Sequence, residues 1–159
     1  MIYTYIFEGG LKNSFFFETD FGLIYEIKFK PSSYIFENFN KDNIYEFVIE
    51  LALNPIDNIP LDKKISPTVA AIFNEFMKQN DYNACVYICD SSDGKQDIRR
   101  RKFNDWFYKY QNDDFVKIDE KLKDEGDKLY PISFVVNARH PDLKEIISSF
   151  IDLIRMNKK

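Results

Sequence analysis

The chain changes its hydrophobic period near residue 54, and that change constrains the fold more than any motif in it. Upstream, apolar residues recur every second position. Leu23, Tyr25, Ile27 and Phe29 alternate with Glu26, Lys28 and Lys30 until Pro31, the pattern of a half-buried strand. Tyr3, Tyr5 and Phe7 share one parity before a Gly9–Gly10 turn. Phe15 and Phe17 continue with Thr19 into the turn Thr19–Asp20–Phe21–Gly22. After an aromatic segment from Tyr34 to Phe39, Ile44 to Leu53 sets Tyr45, Phe47, Ile49 and Leu51 against Glu46 and Glu50. Four closely joined strands imply an antiparallel meander.

Downstream of a loop with Pro55 and Pro60, helical spacing takes over. Ser66–Pro67 reads as a helix start, with Ser66 as N-cap and Pro67 at the first helical position. Val69, Ile72, Phe73, Phe76 and Met77 then form an apolar stripe. Ala84 to Cys89 is almost continuously apolar, as a central strand covered on both faces should be. Gly94 to Tyr110 predicts a second helix. Phe115 to Leu122 and Leu129 to Asn137 predict a hairpin, with Pro131 arguing for an edge position. Leu143, Ile146, Ile147, Phe150, Ile151 and Ile154 mark a last helix that starts at Pro141 and ends in Lys158–Lys159. The order is β-β-β-β-α-β-α-β-β-α. It describes one α+β domain over residues 1–159: a mostly antiparallel sheet of six or seven strands with three packed helices.

Charge and composition exclude several classes. A net charge of −4 gives no global attraction to nucleic acid or anionic lipid. No apolar run approaches the roughly 18 residues of a membrane-spanning helix. The opening MIYTYIFEGG lacks the basic start and small-residue cleavage site of a signal peptide, so the cytoplasm is the expected compartment. Cys85 and Cys89 lie in one predicted strand, roughly 13 Å apart, beyond the ~7 Å reach of a disulfide. With His140 as the one histidine, they make a poor zinc set, and burial of both thiols is expected. No metal site is expected.

The stretch YICDSSDGKQDIRRRKFNDWF (Tyr87–Phe107) holds the densest polar chemistry. On a helical wheel, Phe103, Trp106, Phe107 and Tyr110 share a face with Arg99 in its middle. An inward Arg99 needs a carboxylate, and Asp90 or Asp93 is nearest. A structural ion pair would pin the strand-to-helix turn, with Gly94 permitting the bend. Asp90, Asp93 and Asp97 as metal-holding carboxylates are the rival, but their spacing departs from the calcium-loop pattern. Arg100, Arg101 and Lys102 are the candidate phosphate contacts. Nucleic-acid binding through them is not favoured, because such blocks more often make a solvated face. His140, just before Pro141, reads as a helix-start residue. No Gly-rich phosphate loop and no G-x-S-x-G motif is present.

Two resemblances follow from these residues. The block from Ile65 to Phe107, with its cysteine–aspartate strand end and arginine-rich helix ending in Trp-Phe, resembles an uncharacterised family of small bacterial proteins of the Bacteroidota type. The layout of a meander, a helix, a central strand, a helix and a hairpin is similar to the core of the acetyl-CoA-dependent N-acetyltransferase superfamily. That likeness implies a cofactor pyrophosphate on the N-terminal amides of the first of these helices. The family's Q/R-x-x-G-x-G/A motif falls on Lys63, Ser66 and Thr68, none of which matches it, and Pro67 removes one amide donor. Lys63, Lys64, Ser66 and Thr68 are therefore the cofactor-binding candidates if an acyl-CoA binds. The family's N-x-x-A…Y falls on Asp97, Arg100 and Asn104; its tyrosine is missing, with Tyr108 one turn on.

Two functional expectations result. With no catalytic constellation in the sequence, the first is a binding or regulatory module without a cofactor, acting through another protein or through self-association. An aromatic content of 16 Phe and 10 Tyr beside the single Trp106 supports it, because Phe15–Phe16–Phe17 and Tyr34 to Phe39 cannot all face inward in alternating strands. The second is an acyl-CoA-dependent N-acyltransferase with degenerate motifs, using acetyl-CoA.

Overall fold

The computed structural model describes residues 1–35, 43–56, 58, 60–88, 96–110, 113–123 and 125–157, with the backbone alone for 35, 96–100 and 157. Its elements are β1 (Tyr5–Gly9), β2 (Ser14–Glu18), β3 (Ile24–Pro31), a 3-10 turn (Ser33–Ile35), β4 (Ile44–Leu53), α1 (Ile65–Lys78), β5 (Ala84–Ile88), α2 (Gln96–Tyr110), β6 (Phe115–Lys123), β7 (Leu129–Asn137) and α3 (Leu143–Asn157). The ββββαβαββα order and the α+β class stand as the periodicity predicts. The seven strands form one sheet in the order β1-β2-β3-β4-β5-β7-β6. All neighbours are antiparallel except β4 and β5.

The turns in the meander follow from residues that tolerate positive φ. Gly9 and Gly10 lie at φ 73° and 76°, and Gly22 at 79°. At the second turn the Gly22 amide donates to the Thr19 carbonyl, and the Leu23 amide to the Thr19 hydroxyl. Side-chain alternation then sorts the sheet into two faces. One face carries Phe15, Phe17, Ile27, Phe29, Phe47, Cys85 and Val135 beneath α1 and α2. The other carries Ile44, Ala84, Val86, Ile132, Phe134 and Val136, packed against Ile146, Phe150 and Ile154 of α3. Phe29 stacks on Phe76 at 3.9 Å between centroids, and Phe134 on Phe150 at 4.8 Å.

Helix α3 contacts β6 and β7, and farther along the same face β3 and β4 carry charged pairs. Lys28 bonds Glu50 and lies 3.8 Å from Glu26, while Lys30 lies 3.8 Å from Glu46. Charges matched across neighbouring strands suit the wet face of an antiparallel sheet.

Two expectations need correction. Strand β7 lies inside the sheet, between β5 and β6, and β6 is the edge. Among the described residues, the pairing of β5 with β7 runs to Ile88↔Ile132, so none of it falls on Pro131. The Phe15–Phe16–Phe17 triplet alternates as expected: Phe15 and Phe17 are core residues and Phe16 faces the other way. Helix α1 starts at Ile65, which puts Ser66 second and Pro67 third, and Lys64 as N-cap makes no side-chain cap. Asp62 organises that end instead: its carboxylate accepts the Lys64 amide at 2.9 Å, and its carbonyl faces the Ile65 amide at 3.5 Å.

Candidate functional site

The parallel strands β4 and β5 pair over three residues only, Ile44↔Ala84 to Glu46↔Val86. Beyond that point Tyr87 and Ile88 pair with β7 alone, while β4 runs on from Phe47 to Leu53 beside β3. Among the described residues, the backbone groups of this part of β4 that face β5 have no strand partner. Over the described residues the sheet thus leaves a wedge on the α1/α2 face. A cavity of about 290 Å³ occupies it, lined by Ile49 of β4, Tyr87 of β5, Ile65, Ser66 and Val69 of α1, and Lys102, Phe103 and Trp106 of α2.

Most of that wall is apolar and rigid. Tyr87 stacks on Phe103 at 4.3 Å between centroids. Trp106 lies parallel to Phe47 at 6.1 Å and edge-on to Phe73 at 5.5 Å. Its indole Nε1–H donates to the Ser66 carbonyl at 3.0 Å, tying α2 to the first turn of α1. Arg101 and Lys102 are both exposed, and of these two Lys102 lines the wedge. The side chains of Asp97, Arg99 and Arg100 lie outside the described atoms. Asp90 and Asp93 lie outside the described residues, as do Cys89 and Gly94, so the proposed Arg99 ion pair falls there as well.

The four residues expected to hold a cofactor anion divide into two groups. Lys63 and Ser66 are exposed at the head of α1. Lys64 is turned to the meander, 3.2 Å from the Asp20 carboxylate and 5.0 Å from the centre of the Tyr3 ring. Thr68 is fully buried, and its hydroxyl donates to the Lys64 carbonyl at 2.6 Å while accepting the Tyr3 amide at 2.9 Å. Tyr3 completes the bracket, donating its hydroxyl to Asp62 and accepting the Asp20 amide at 3.2 Å. Burial, and then the neighbouring carboxylates, push the Tyr3 phenol up, so this hydroxyl stays a donor. The first turn of α1 keeps few open amides: Lys64 and Ile65 donate to Asp62, Pro67 has none, and Thr68 donates to Lys64. Among the described residues, the Ser66 amide is the one first-turn donor without an acceptor.

Elsewhere the titratable groups are structural. Cys85 is buried and its thiol is pushed up by burial, which makes it a poor nucleophile. His140 is buried with Nδ1 accepting the Asp142 amide at 2.9 Å, a loop-to-helix brace. Lys117 is nearly buried, donates to Asn104 at 2.6 Å and to Asp119, and lies against Phe103, Phe107 and Tyr108. A second concavity at the opposite end of α1 has mixed charge, from Lys78, Asp81, Asp113, Asp114 and Arg139. No group of three or more potential metal ligands occurs among the described residues. No helix among them is long and apolar enough to cross a membrane.

Sequence reasoning missed Ile49, Val69, Tyr87 and Trp106 as cavity walls. Each reads as an ordinary core position, and only the parting of β4 from β5 opens space beside it.

No curated protein and no solved structure matches the chain. The model of a family of unknown function, DUF6169, matches residues 61–152, which spans α1, β5, α2, β6, β7 and the larger part of α3, and so most of the wedge wall. With more than half of its length matched, the chain belongs to the DUF6169 family.

Proposed function

We propose that this chain is a binding module for an acyl thioester of coenzyme A, on a degenerate N-acetyltransferase scaffold, with the acyl-pantetheine arm in the β4/β5 wedge. The observation that carries the reading is the parting of the one parallel strand pair over an apolar cavity at the head of α1. A pantetheine arm is extended and carries amides, so it can complete hydrogen bonds that β4 no longer makes to β5. Its thioester end is apolar and suits Ile49, Val69, Phe103 and Trp106. At about 290 Å³ the cavity is at the small end of ligand sites, enough for part of such a molecule. The phosphates then lie outside, near the Ser66 amide and the ammonium groups of Lys63 and Lys102. Three weak donors in place of a full amide cradle favour moderate affinity and a strong dependence on salt.

Trp106 is the single tryptophan and lines the cavity, so its fluorescence reports occupancy without a label. Titration with acetyl-CoA should quench or shift it with saturation, and a Lys63→Ala/Lys102→Ala double variant should weaken binding about tenfold at low salt. A Val69→Trp variant, which fills the cavity, should abolish binding. No saturable change with acetyl-CoA, coenzyme A or longer acyl-CoA, together with no adduct in native mass spectrometry, refutes the reading.

A second reading, contact with another protein or a second copy, rests on β1. It is an edge strand with one charged residue, Glu8, where β6 has five, and Ile6 and Phe7 are exposed on it with Leu11 in the adjacent turn. Sedimentation of the purified chain tests self-association: a dimer in the wild type and a monomer in Phe7→Lys supports it, and a monomeric wild type removes it.

A further inference from the structure

Trp106 borders two cavities at once. On one side is the wedge. On the other is a half-open pocket of about 10 Å³, room for about one water-sized probe, lined by Ala70, Phe73, Asn74, Phe107, Tyr110 and Phe115. Among the described residues no other lines both. The linings of the two spaces follow one another along the groove side of α1 and α2. Ser66 and Val69 border the first and Ala70 and Asn74 the second, about one turn on. Along α2 the same step leads from Lys102 and Phe103 to Phe107 and Tyr110. The indole plugs the groove at the step.

The plug is held rather than loose. Its N–H is tied to the Ser66 carbonyl at 3.0 Å, and its ring is packed on Phe47, Phe73 and Phe103. A side chain fixed on several sides does not swing away at small cost, because each rotamer change gives up both the hydrogen bond and the ring contacts. Beyond it the groove is walled by Phe73, Phe107 and Phe115, an apolar lining suited to hydrocarbon.

We infer that Trp106 is the specificity-determining residue of the wedge: the indole closes its inner end and restricts the ligand to short acyl chains. This rests on the acyl-thioester reading above. Replacing the indole by a smaller side chain joins the wedge to the space beyond and admits a longer chain. Each methylene that finds an apolar site should then improve affinity about fourfold.

The experiment is calorimetric titration of the wild type, Trp106→Leu and Trp106→Phe with acetyl-, butyryl-, octanoyl- and dodecanoyl-CoA, with circular dichroism to establish folding. The wild type should bind the acetyl and butyryl esters more tightly than the octanoyl ester. Trp106→Leu should reverse that order, with octanoyl-CoA favoured over butyryl-CoA by at least about tenfold. Trp106→Phe, which keeps most of the packing, should shift the preferred length less and carries the test if the leucine variant does not fold. A general weakening with the order unchanged makes Trp106 merely structural and overturns the inference while the binding reading stands. A wild type that binds octanoyl and butyryl esters equally overturns it too. A wild type that binds none of the four removes both readings.

Discussion

Thr68→Val is the sharpest test of how the head of α1 is built. The two side chains have nearly the same shape, so the change removes the hydroxyl and little else. Two bonds go with it: the donation to the Lys64 carbonyl at 2.6 Å and the acceptance of the Tyr3 amide at 2.9 Å. The Lys64 carbonyl keeps the Thr68 amide at 3.1 Å, so that loss amounts to about 1 kcal/mol. The Tyr3 amide is the greater problem. It is left in a buried place without an acceptor, which costs about 1–3 kcal/mol. The sum is about 2–4 kcal/mol, or about 5–15 °C in melting temperature for a chain of this length. Thr68→Ser keeps both bonds and loses one methyl, about 1 kcal/mol. Thermal unfolding of the three proteins, with amide exchange at Tyr3, measures this directly. A valine variant that melts no lower than the serine variant, with the Tyr3 amide still protected, would show that the hydroxyl does not hold the N-terminal strand to α1. Well below its melting temperature, Thr68→Val should bind any wedge ligand as the wild type does, because the hydroxyl faces the interior.

Other expected outcomes follow from the same geometry. Burial pushes up the Cys85 thiol and the Tyr3, Tyr5 and Tyr25 phenols, so the folded chain holds these protons more tightly than the unfolded one. Their contribution is full below the ordinary values of 9.0 and 10.0 and declines as pH rises past them. Denaturant titrations between about pH 8 and about pH 11 should show that decline, and Cys85→Val should flatten it by up to about 1.4 kcal/mol per pH unit; an unchanged slope would mean that the thiol ionises freely in the folded state. Asp119→Ala leaves the nearly buried Lys117 ammonium with Asn104 alone, whereas Lys117→Met fits the surrounding aromatic rings. The alanine variant should therefore be less stable than the methionine variant by about 1–3 kcal/mol, partial exposure of Asp119 holding the figure down, and equal unfolding midpoints would contradict the account. At Gly22, φ is 79° and an added Cβ would meet only Pro55 at 3.5 Å, so Gly22→Ala should cost about 1–2 kcal/mol through backbone conformation alone. A melting point unchanged from wild type would show that the turn relaxes.

The amino-acid sequence by itself determined what is local. Alternation at Leu23 to Phe29 and Ile44 to Leu53, glycines at Gly9, Gly10 and Gly22, and the stripes of α1 and α3 depend on periods and φ preferences that a few neighbouring residues set. Those are enough to order the elements and to turn Phe103 and Phe107 inward on α2. The tertiary structure decided what depends on partners far apart in the chain. Pro131 argues for an edge, yet its strand lies between β5 and β6. Thr68 looks like a helix-head donor in the sequence, yet Tyr3, 65 residues away, claims its hydroxyl. The wedge is the clearest case. Ile49, Val69, Tyr87 and Trp106 are apolar residues at core spacing, and nothing in their local pattern distinguishes a side chain packed in a core from one facing a cavity. That difference arises because β4 and β5, among the described residues, pair for three positions only, a matter of how strands far apart in the chain meet.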